Sequence, residues 1–363
     1  MEAEPQTLYF DEAGFTGYNL LDPVQPVFAI ASTDIAPEAA SAILADSFPG
    51  YRGAEYKLSN IWRTNARQGL VRFAGHIAGL GDRTIVYIIH KRMAVLTKMA
   101  DFLIEPIITH AGYDFYADGF CWKYSNYMYF GFTQFEPPEL LDRLLAIYME
   151  FSRDPNQQSL QLLQKRLRLM ANSAGEKTRV LLEQMAGGAE AFDHFNDMDN
   201  FRSSNELHTG TMIALVSRWR QRSDHDFAVV HDASSVFLRN RRMWENITNP
   251  EVAEASHIMG DGTDARFPLR VVSTSAVGSL DNASVQFCDI LAGLCVKMHG
   301  ATPDSPAYAF FTELQSAGLS ALTLDGITPL LVFPDQIPPR KLEGPDVVDR
   351  LAAIIKWSEE RRS

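Results

Sequence analysis

The sequence has little cysteine, no excess of basic residues and no long apolar run, and each absence excludes a class of protein. Its 363 residues contain only 3 cysteines, which are too few and too widely spaced for a disulfide framework or a thiolate zinc site. The formal net charge of −12 argues against a protein that coats long nucleic acids, because such proteins usually carry a basic footprint. Any nucleic-acid contact is therefore expected to be local.

Signals for membranes and export are also missing. No segment approaches the ~20 consecutive apolar residues of a membrane span, and the first residues, MEAEPQ, are acidic with no apolar stretch behind them. We therefore expect a cytoplasmic protein with no membrane contact. The 46% of hydrophobic residues is ordinary for a globular chain that buries a substantial core.

The spacing of apolar residues predicts where strands and helices lie. Buried strands are predicted at residues 7–10, 26–32, 83–91, 226–232 and 268–275, and a short one at 329–333. Helical spacing of three and four is found at 60–80, through most of 94–222, at 279–300 and at the C-terminal end. The aromatic-rich stretch Tyr113–Phe135 is interpreted as core or interface in preference to a base-stacking surface.

This alternation of strand and helix predicts an α/β fold with a mixed central sheet flanked by helices. The predicted core consists of residues 1–93 and 223–300. A large helical insertion spans 94–222, and a C-terminal α/β appendage spans 301–363.

Acidic residues stand at the polar ends of several elements that are otherwise apolar. They are Asp11 and Glu12 in LYFDEAG, Glu55 in GAEYKLS, Asp232 in FAVVHD and Asp289 in QFCDILAG. Strand ends gather at one edge of a sheet, where converging carboxylates would repel one another unless a cation lay between them. Oxygen ligands suit Mg²⁺ or Mn²⁺, and two such ions roughly 4 Å apart would stabilise a phosphodiester displacement.

Each acid also has a simpler interpretation. An Asp after a strand is commonly a turn former, and Glu55 with Lys57 in EYK could form a solvated pair on a loop. Asp289 is different, because its helix is apolar nearly all round and an unpartnered acid there would be costly. Gln286 shares its face, and Ala292 and Gly293 are predicted to let this helix approach a sheet closely.

Four short patches resemble the prokaryotic family catalogued as domain of unknown function 3800. The patches are FDEAG, EYK, VVHDAS and SVQFCDILAG, in that order. The family is thought to have an RNase H-like fold and is suspected of metal-dependent nuclease activity. The chain departs from the family pattern at Ala13, where Ser is common, and at Cys288, where Ala is common, and neither change removes a carboxylate.

The resemblance implies roles for individual residues. It makes Glu12 a neighbouring acid and Lys57 a contact to phosphate, and it implies phosphodiester hydrolysis on Mg²⁺ or Mn²⁺ with a nucleic-acid substrate. Residues 94–222 would then be an insertion that could act as a substrate lid. The implied acidic cluster consists of Asp11, Glu55, Asp232 and Asp289.

Histidines and basic clusters are secondary candidates. His208 and His231 are conceivable proton shuttles, although alternation along a strand turns His231 away from Asp232 and favours a structural role. Three basic clusters could form a phosphate-binding face or could pair with acids, the latter being somewhat favoured. They consist of Lys165, Arg166 and Arg168; Arg218, Arg220 and Arg222; and Arg239, Arg241 and Arg242.

Two alternatives to a nuclease are open at this point. The first is a magnesium-dependent phosphohydrolase of small molecules with Asp11 as nucleophile, but it would expect a second Asp at position 13, which is Ala. The second is a non-catalytic scaffold that binds nucleic acid or a protein, since fold does not establish activity.

Overall fold

A six-stranded mixed sheet lies at the centre of the fold. The computed structural model describes residues 4–64, 66–192, 206–233, 241–259, 263–305 and 307–362. Within them the strands are β1 (Gln6–Ala13), β2 (Val27–Thr33), β3 (Thr84–His90), β4 (Phe227–Asp232), β5 (Ala255–Ile258), β6 (Asp264–Phe267), β7 (Val271–Val277) and β8 (Thr323–Ile327). The order in the main sheet is β7-β4-β1-β2-β3-β8, and β5 and β6 form a separate antiparallel pair.

Strand directions place most strand ends at one edge of the sheet. β1, β2 and β3 form an antiparallel meander. β4 lies parallel to β1, β7 parallel to β4, and β8 parallel to β3. The carboxyl ends of every strand in this sheet except β2 therefore face the same way.

Helices cover both faces of the sheet. In chain order they are α1 (Pro37–Ser47), α2 (Leu58–Arg63), α3 (Arg67–Ala78), α4 (Lys91–Leu103), α5 (Glu105–His110), α6 (Phe120–Gln134), α7 (Pro138–Arg153), α8 (Gln157–Ala171), α9 (Glu176–Glu190), α10 (His208–Arg222), α11 (Arg241–Ile247), α12 (Ala283–His299), α13 (Tyr308–Ala317) and α14 (Val347–Arg362). None of these described helices is long and apolar enough to cross a membrane.

Alternation along β2 divides the core in two. Phe28 and Ile30 join the cluster that contains α4 and α6–α10, whereas Ala29 and Ala31 join the cluster that contains α1–α3, α12 and α13. Successive strand side chains point to opposite faces, so one fully buried strand serves both cores. The α4–α10 face and the α12 face are named below after these helices.

Most of the predicted elements are confirmed, including the mixed sheet flanked by helices. The helical stretch at 60–80 consists of two helices, α2 and α3. The aromatic stretch belongs to the core, where Phe120, Tyr124 and Phe132 are buried. The segments 94–222 and 301–363 both contribute apolar side chains to cores that they share with the sheet.

The strand predicted at residues 329–333 is wrong. Leu331 is 67% exposed, and the N–H of Leu330 donates to the side chain of Asn126 rather than to a strand. The sheet edge is formed a few residues earlier by β8, which pairs with β3. Apolar content alone suggested a strand at 329–333, but Pro329 supplies no backbone donor at its start.

Candidate functional site

Asp11 and Asp232 are placed side by side by the pairing of β1 with β4. Phe10 is opposite His231 in this parallel register, so the next position brings Asp11 beside Asp232 on the neighbouring strand. Adjacent strands lie about 4.8 Å apart, which brings the two carboxylates to one face of the sheet edge. Asp11 is only 6% exposed. Gly14, with φ +77°, then turns the chain away from this edge.

Asp289 reaches the same edge from α12, which packs across β1 and β2. The Asn282 side chain starts this helix by accepting hydrogen bonds from the N–H groups of Ser284 and Val285. On the sheet side, the Cys288 thiol donates to the carbonyl oxygen of Tyr9 at 3.4 Å. The helix is therefore anchored to β1 one residue before Asp289.

Gln286 and Asp289 together hold the segment that carries Glu55 and Lys57. Gln286 Oε1 accepts the N–H of Tyr56 at 2.8 Å, and Asp289 Oδ1 accepts the N–H of Leu58 at 2.7 Å. The two accepting side chains lie three residues apart on one face of α12. The two backbone N–H groups that they bind lie two residues apart on an extended segment. We call these two hydrogen bonds the α12 clamp.

The clamp fixes the residues between and beside its contacts. Lys57 Nζ lies 3.1 Å from Glu55 Oε1, and the Tyr51 hydroxyl donates to the Glu55 carbonyl oxygen at 2.8 Å. Glu55 has a side chain that is 17% exposed, so it is not a freely solvated loop residue. The EYK motif therefore lies against α12, next to Asp289.

The acidic side chains of this region act on one another through their charges. Burial raises the pKa of Asp11 well above its usual range, and the charges of Asp289, Glu12 and Asp232 raise it further. Burial also raises the pKa of Asp289 to about 6, against the lowering effects of the Leu58 N–H and Lys57. Like charges held in a buried site disfavour their own ionisation, and a cation would relieve this.

Lys57 remains charged in this environment. Partial burial lowers its pKa, but the hydrogen bond and charge of Glu55 and the charges of Asp289 and Asp232 outweigh that effect and raise it. Among the described residues near the acidic cluster, Lys57 is the cation that couples to three of its members. Its side chain pairs with Glu55 and is 37% exposed, so an anionic group that approaches the site can reach it.

Glu12 lies on the opposite face of the sheet, the α4–α10 face. Its Oε2 atom is 3.4 Å from Nε2 of His208, the first residue of α10. His231, whose Nδ1 contacts the Asp232 carbonyl oxygen at 2.6 Å, is buried, and burial lowers its pKa. In the register of β1 and β4 it is opposite Phe10, whose side chain belongs to the core on the α4–α10 face. The structure thus separates Glu12, His208 and His231 from the face that holds Asp11.

Gly293 packs against a helix, whereas the sequence predicted that it would pack against the sheet. A Cβ at this position would lie 2.5 Å from Cδ2 of Leu58, so the glycine makes room for α2 and not for a strand. The sheet contact of α12 is made instead near Cys288. A small residue is needed here because Leu58, which the α12 clamp holds, is also the first residue of α2.

The arginines of the predicted basic clusters are used in ion pairs wherever the structure describes them. Arg218 pairs with Asp325, Arg220 with Asp224 and Glu254, and Arg222 with Asp82. The remaining pairs are Arg166–Glu150, Arg168–Glu190, Arg241–Glu245 and Arg242–Glu359. Arg239 lies outside the described residues. These arginines therefore pair with acidic side chains, as the favoured interpretation predicted.

The donor set suits a hard divalent cation in type, because it consists of carboxylate oxygens with like charges that repel. Within the described ranges, however, no three His, Cys, Asp or Glu side chains lie together closely enough to hold a metal ion. One oxygen of Asp11 accepts the Glu12 N–H at 2.8 Å, and one of Asp289 accepts the Leu58 N–H. Each of these two carboxylates has a second oxygen for a ligand.

The role of Gln286 was missed by the sequence prediction. Its position on the face of Asp289 was visible, but its partner is a backbone N–H, which every non-proline residue carries and no residue letter reveals. Comparison with protein-family models, with curated proteins and with solved structures found no match for this chain.

Proposed function

We propose that this protein is a metal-dependent nuclease that hydrolyses phosphodiester bonds at the acidic cluster. One observation carries the proposal: β1, β4, α12 and the segment before α2 each contribute a carboxylate near one edge of the sheet, and the charges of these carboxylates act on Asp11 or Asp289. Structural turn-forming acids have no reason to converge in this way, since each would be more stable alone in water.

The topology supports an RNase H-like fold. An antiparallel β1–β2–β3 meander is followed by parallel strands, β4 and β7, on the far side of β1. Acids on the first strand, before an early helix, on a later central strand and on a late helix agree with what that fold implies. The four sequence patches that resemble the domain of unknown function 3800 family coincide with the four sources of carboxylates.

Each residue of the cluster has a distinct task in this mechanism. Asp11, Asp232 and Asp289 would hold Mg²⁺ or Mn²⁺, with Glu55 as a further ligand. When bound, such an ion lowers the pKa of an attacking water and stabilises the charge on the phosphate and the leaving oxygen. No protein nucleophile is then required, which accords with Ala13 in place of a second aspartate.

Lys57 and the α12 clamp supply the remaining functions. The charged amine of Lys57, held at Glu55, would contact a non-bridging phosphate oxygen and position the scissile bond. Gln286 would act as a positioning residue, because it holds the backbone between Glu55 and Lys57. The clamp thus fixes the distance between the amine and the carboxylates.

A non-catalytic scaffold is the second candidate. It is favoured by the finding that no three potential metal ligands in the described residues are close enough for coordination. In that case the acids would serve only to connect α12, the strands and the Glu55 segment. Binding of nucleic acid or protein would occur without cleavage.

A nuclease assay separates these functions. Single- and double-stranded DNA and RNA are incubated with the full chain in Mg²⁺, Mn²⁺ or EDTA, and products are resolved on gels. We expect cleavage that requires metal and falls by at least about 100-fold in Asp11→Ala and Asp289→Ala, since each removes a carboxylate from the charged centre.

The matched control is Glu313→Gln, an exposed residue of α13 that lies outside the acidic cluster. Its cleavage rate should equal that of the unmodified protein. Metal-independent cleavage, or activity that survives both aspartate substitutions, would overturn the proposed site. Substrate binding without cleavage under every condition would favour the scaffold.

A further inference from the structure

A partly open cavity of about 470 Å³ lies on the α4–α10 face, away from Asp11. It is lined by strands β3, β6 and β8 and by helices α4, α6, α10 and α14. Close-packed interiors contain few voids larger than a water molecule, so a space of this size is not a packing defect. Its volume falls in the range of pockets that bind small organic molecules.

The lining is mainly apolar. Tyr87, Trp122, Ile213, Phe267 and Ile327 contribute large hydrophobic surfaces from five different elements or connections. Several hydroxyl groups at the wall are already used within helices. Thr97 donates to the Ala94 carbonyl oxygen at 2.8 Å, and Ser125 donates to that of Cys121 at 2.8 Å.

The charged groups at the wall are not equivalent. Arg218 and Asp325 pair with each other, so their charges offset. Asp101 accepts a hydrogen bond from Tyr116, and Lys98 is the charged residue that acts on it most strongly. Asp101 is nevertheless partly accessible to solvent through this space.

We propose that the cavity binds a small organic amine, whose ammonium group donates hydrogen bonds to Asp101 while its apolar body packs between Tyr87, Trp122 and Ile213. The pKa of Asp101 is raised to about 7, mainly by burial. The charge of Lys98 opposes this rise in pKa, and the charge of Glu105 adds to it. A bound cation would offset this cost, whereas a carboxylate ligand would add to it. A neutral ligand of the same shape would gain only the apolar contact.

Cys121 provides a direct measure of occupancy. It lies at the cavity and is partly exposed, whereas Cys288 and Cys295, the other 2 cysteines, are both 0% exposed. The rate at which methyl methanethiosulfonate modifies the full chain therefore reports on Cys121. The rate is measured by mass spectrometry with 2-phenylethylamine, 2-phenylethanol or 3-phenylpropionate added, three probes of similar size and different charge.

We expect the amine to slow modification of Cys121 at a concentration at least about tenfold lower than the alcohol or the acid requires. This is the gain in affinity from one hydrogen bond between an ammonium group and a carboxylate. Asp101→Asn should remove this preference, and Asp304→Asn, an exposed residue away from the cavity, should keep it. Ala214→Phe, at the cavity wall, should abolish protection by all three probes.

Equal protection by the alcohol or the acid, or by no probe at all, would overturn the proposal. So would an amine preference that persists in Asp101→Asn. The three-probe comparison on the unmodified chain remains decisive if Asp101→Asn does not fold. The outcome is independent of the nuclease proposal, because the cavity and Asp11 lie on opposite faces of the sheet.

Discussion

Asp11 is held by the fold in a place that disfavours its charge. It is buried in β1 beside two other aspartates, so in the absence of a cation its ionised form destabilises the native state. Glu12, the next residue, faces the other side and contacts His208. Of these two adjacent acids, only Asp11 therefore lies on the face of the sheet that α12 covers.

Divalent cations should stabilise the protein through Asp11. We expect millimolar Mn²⁺ or Mg²⁺ to raise the melting temperature at pH 7.5, because a ligand at 100 times its dissociation constant adds about 2.7 kcal/mol. Asp11→Asn should melt at a higher temperature than the unmodified chain in EDTA and should lose the response to metal. Thermal unfolding followed by circular dichroism measures both.

Glu12→Gln is the matched comparison, since it removes an acid of the same motif from the opposite face. It should retain the metal response. An equal metal-induced shift in Asp11→Asn and in the unmodified chain would show that the cation binds elsewhere.

At the scale of elements, α12 positions two other parts of the chain, the Glu55–Lys57 segment and β1. Its side chains bind one loop segment by backbone N–H groups, and its Cys288 binds β1 by a backbone carbonyl. Contacts to backbone atoms fix position without depending on the partner's side chain. The helix can therefore align two distant segments of different sequence.

Loss of the Gln286 contact should loosen the Glu55–Lys57 segment. Gln286→Ala leaves the Tyr56 N–H without its acceptor, which we expect to lower the free energy of unfolding by about 1–3 kcal/mol and the cleavage rate with it. Urea unfolding and limited proteolysis with mapping of the cut site measure the change. New cleavage should occur between residues 49 and 57.

Gln158→Ala, an exposed position near the start of α8, is the control and should change stability by less than about 0.5 kcal/mol. Equal stability and an unchanged proteolytic pattern for Gln286→Ala would contradict a positioning role.

Adjacent glycines in α9 should respond in opposite directions to alanine. A Cβ at Gly188 would lie 1.7 Å from the carbonyl oxygen of Leu103, so Gly188→Ala forces α9 away from α4 and should cost about 2 kcal/mol or more. At Gly187 a Cβ would meet Ile107 at 3.6 Å, an ordinary contact, and alanine should add up to about 1 kcal/mol. Urea unfolding of both variants tests this; a stabilised Gly188→Ala would contradict the packing.

The elements with strong apolar periodicity could be predicted from the sequence, and β8 could not. Continuous β-branched runs identified β3 and β4, because buried strands have few polar interruptions. β8 contains Asp325 and Gly326, which read as a turn. Gly326 is needed there because a Cβ would lie 1.8 Å from the Ile88 carbonyl oxygen, a constraint visible only after the strands pair.

The acidic site was predictable in part for a similar reason. Asp11, Asp232 and Asp289 stand out as acids next to apolar residues, so their positions in the sequence suggested convergence. Strand alternation explains why Asp11 and Glu12 face opposite sides of the sheet. The α12 clamp and the pairing of each arginine depend on tertiary contacts that no local pattern encodes.

For the whole molecule, two sets of titrating groups oppose each other as pH changes. Burial lowers the pKa of His90 to about 4, so stability from this group is lost as pH falls below 6.5. Burial raises the pKa of Asp289 to about 6 and of Asp101 to about 7, so stability from these groups is lost as pH rises above about 4. A single pH curve mixes both effects.

The difference in free energy of unfolding between Asp289→Asn and the unmodified chain isolates the contribution of the Asp289 carboxyl group. In EDTA, Asp289→Asn should gain up to about 3 kcal/mol in free energy of unfolding relative to the unmodified chain between pH 4 and pH 7, since one unit of pKa shift is worth about 1.4 kcal/mol. Asparagine keeps an oxygen for the Leu58 N–H. Urea unfolding at both pH values measures the gain, and a difference that does not change with pH would contradict the raised pKa.

The contact between Cys288 and Tyr9 joins residues 279 positions apart, and this separation sets when the site can form during synthesis. A ribosome adds about 5–20 residues per second, so β1 waits tens of seconds for α12 to emerge. Until then Asp11 has no Asp289 beside it. A nascent or prematurely terminated chain that ends before α12 therefore carries Asp11, Glu55 and Asp232 without Asp289, and the acidic cluster is complete only after α12 has been made.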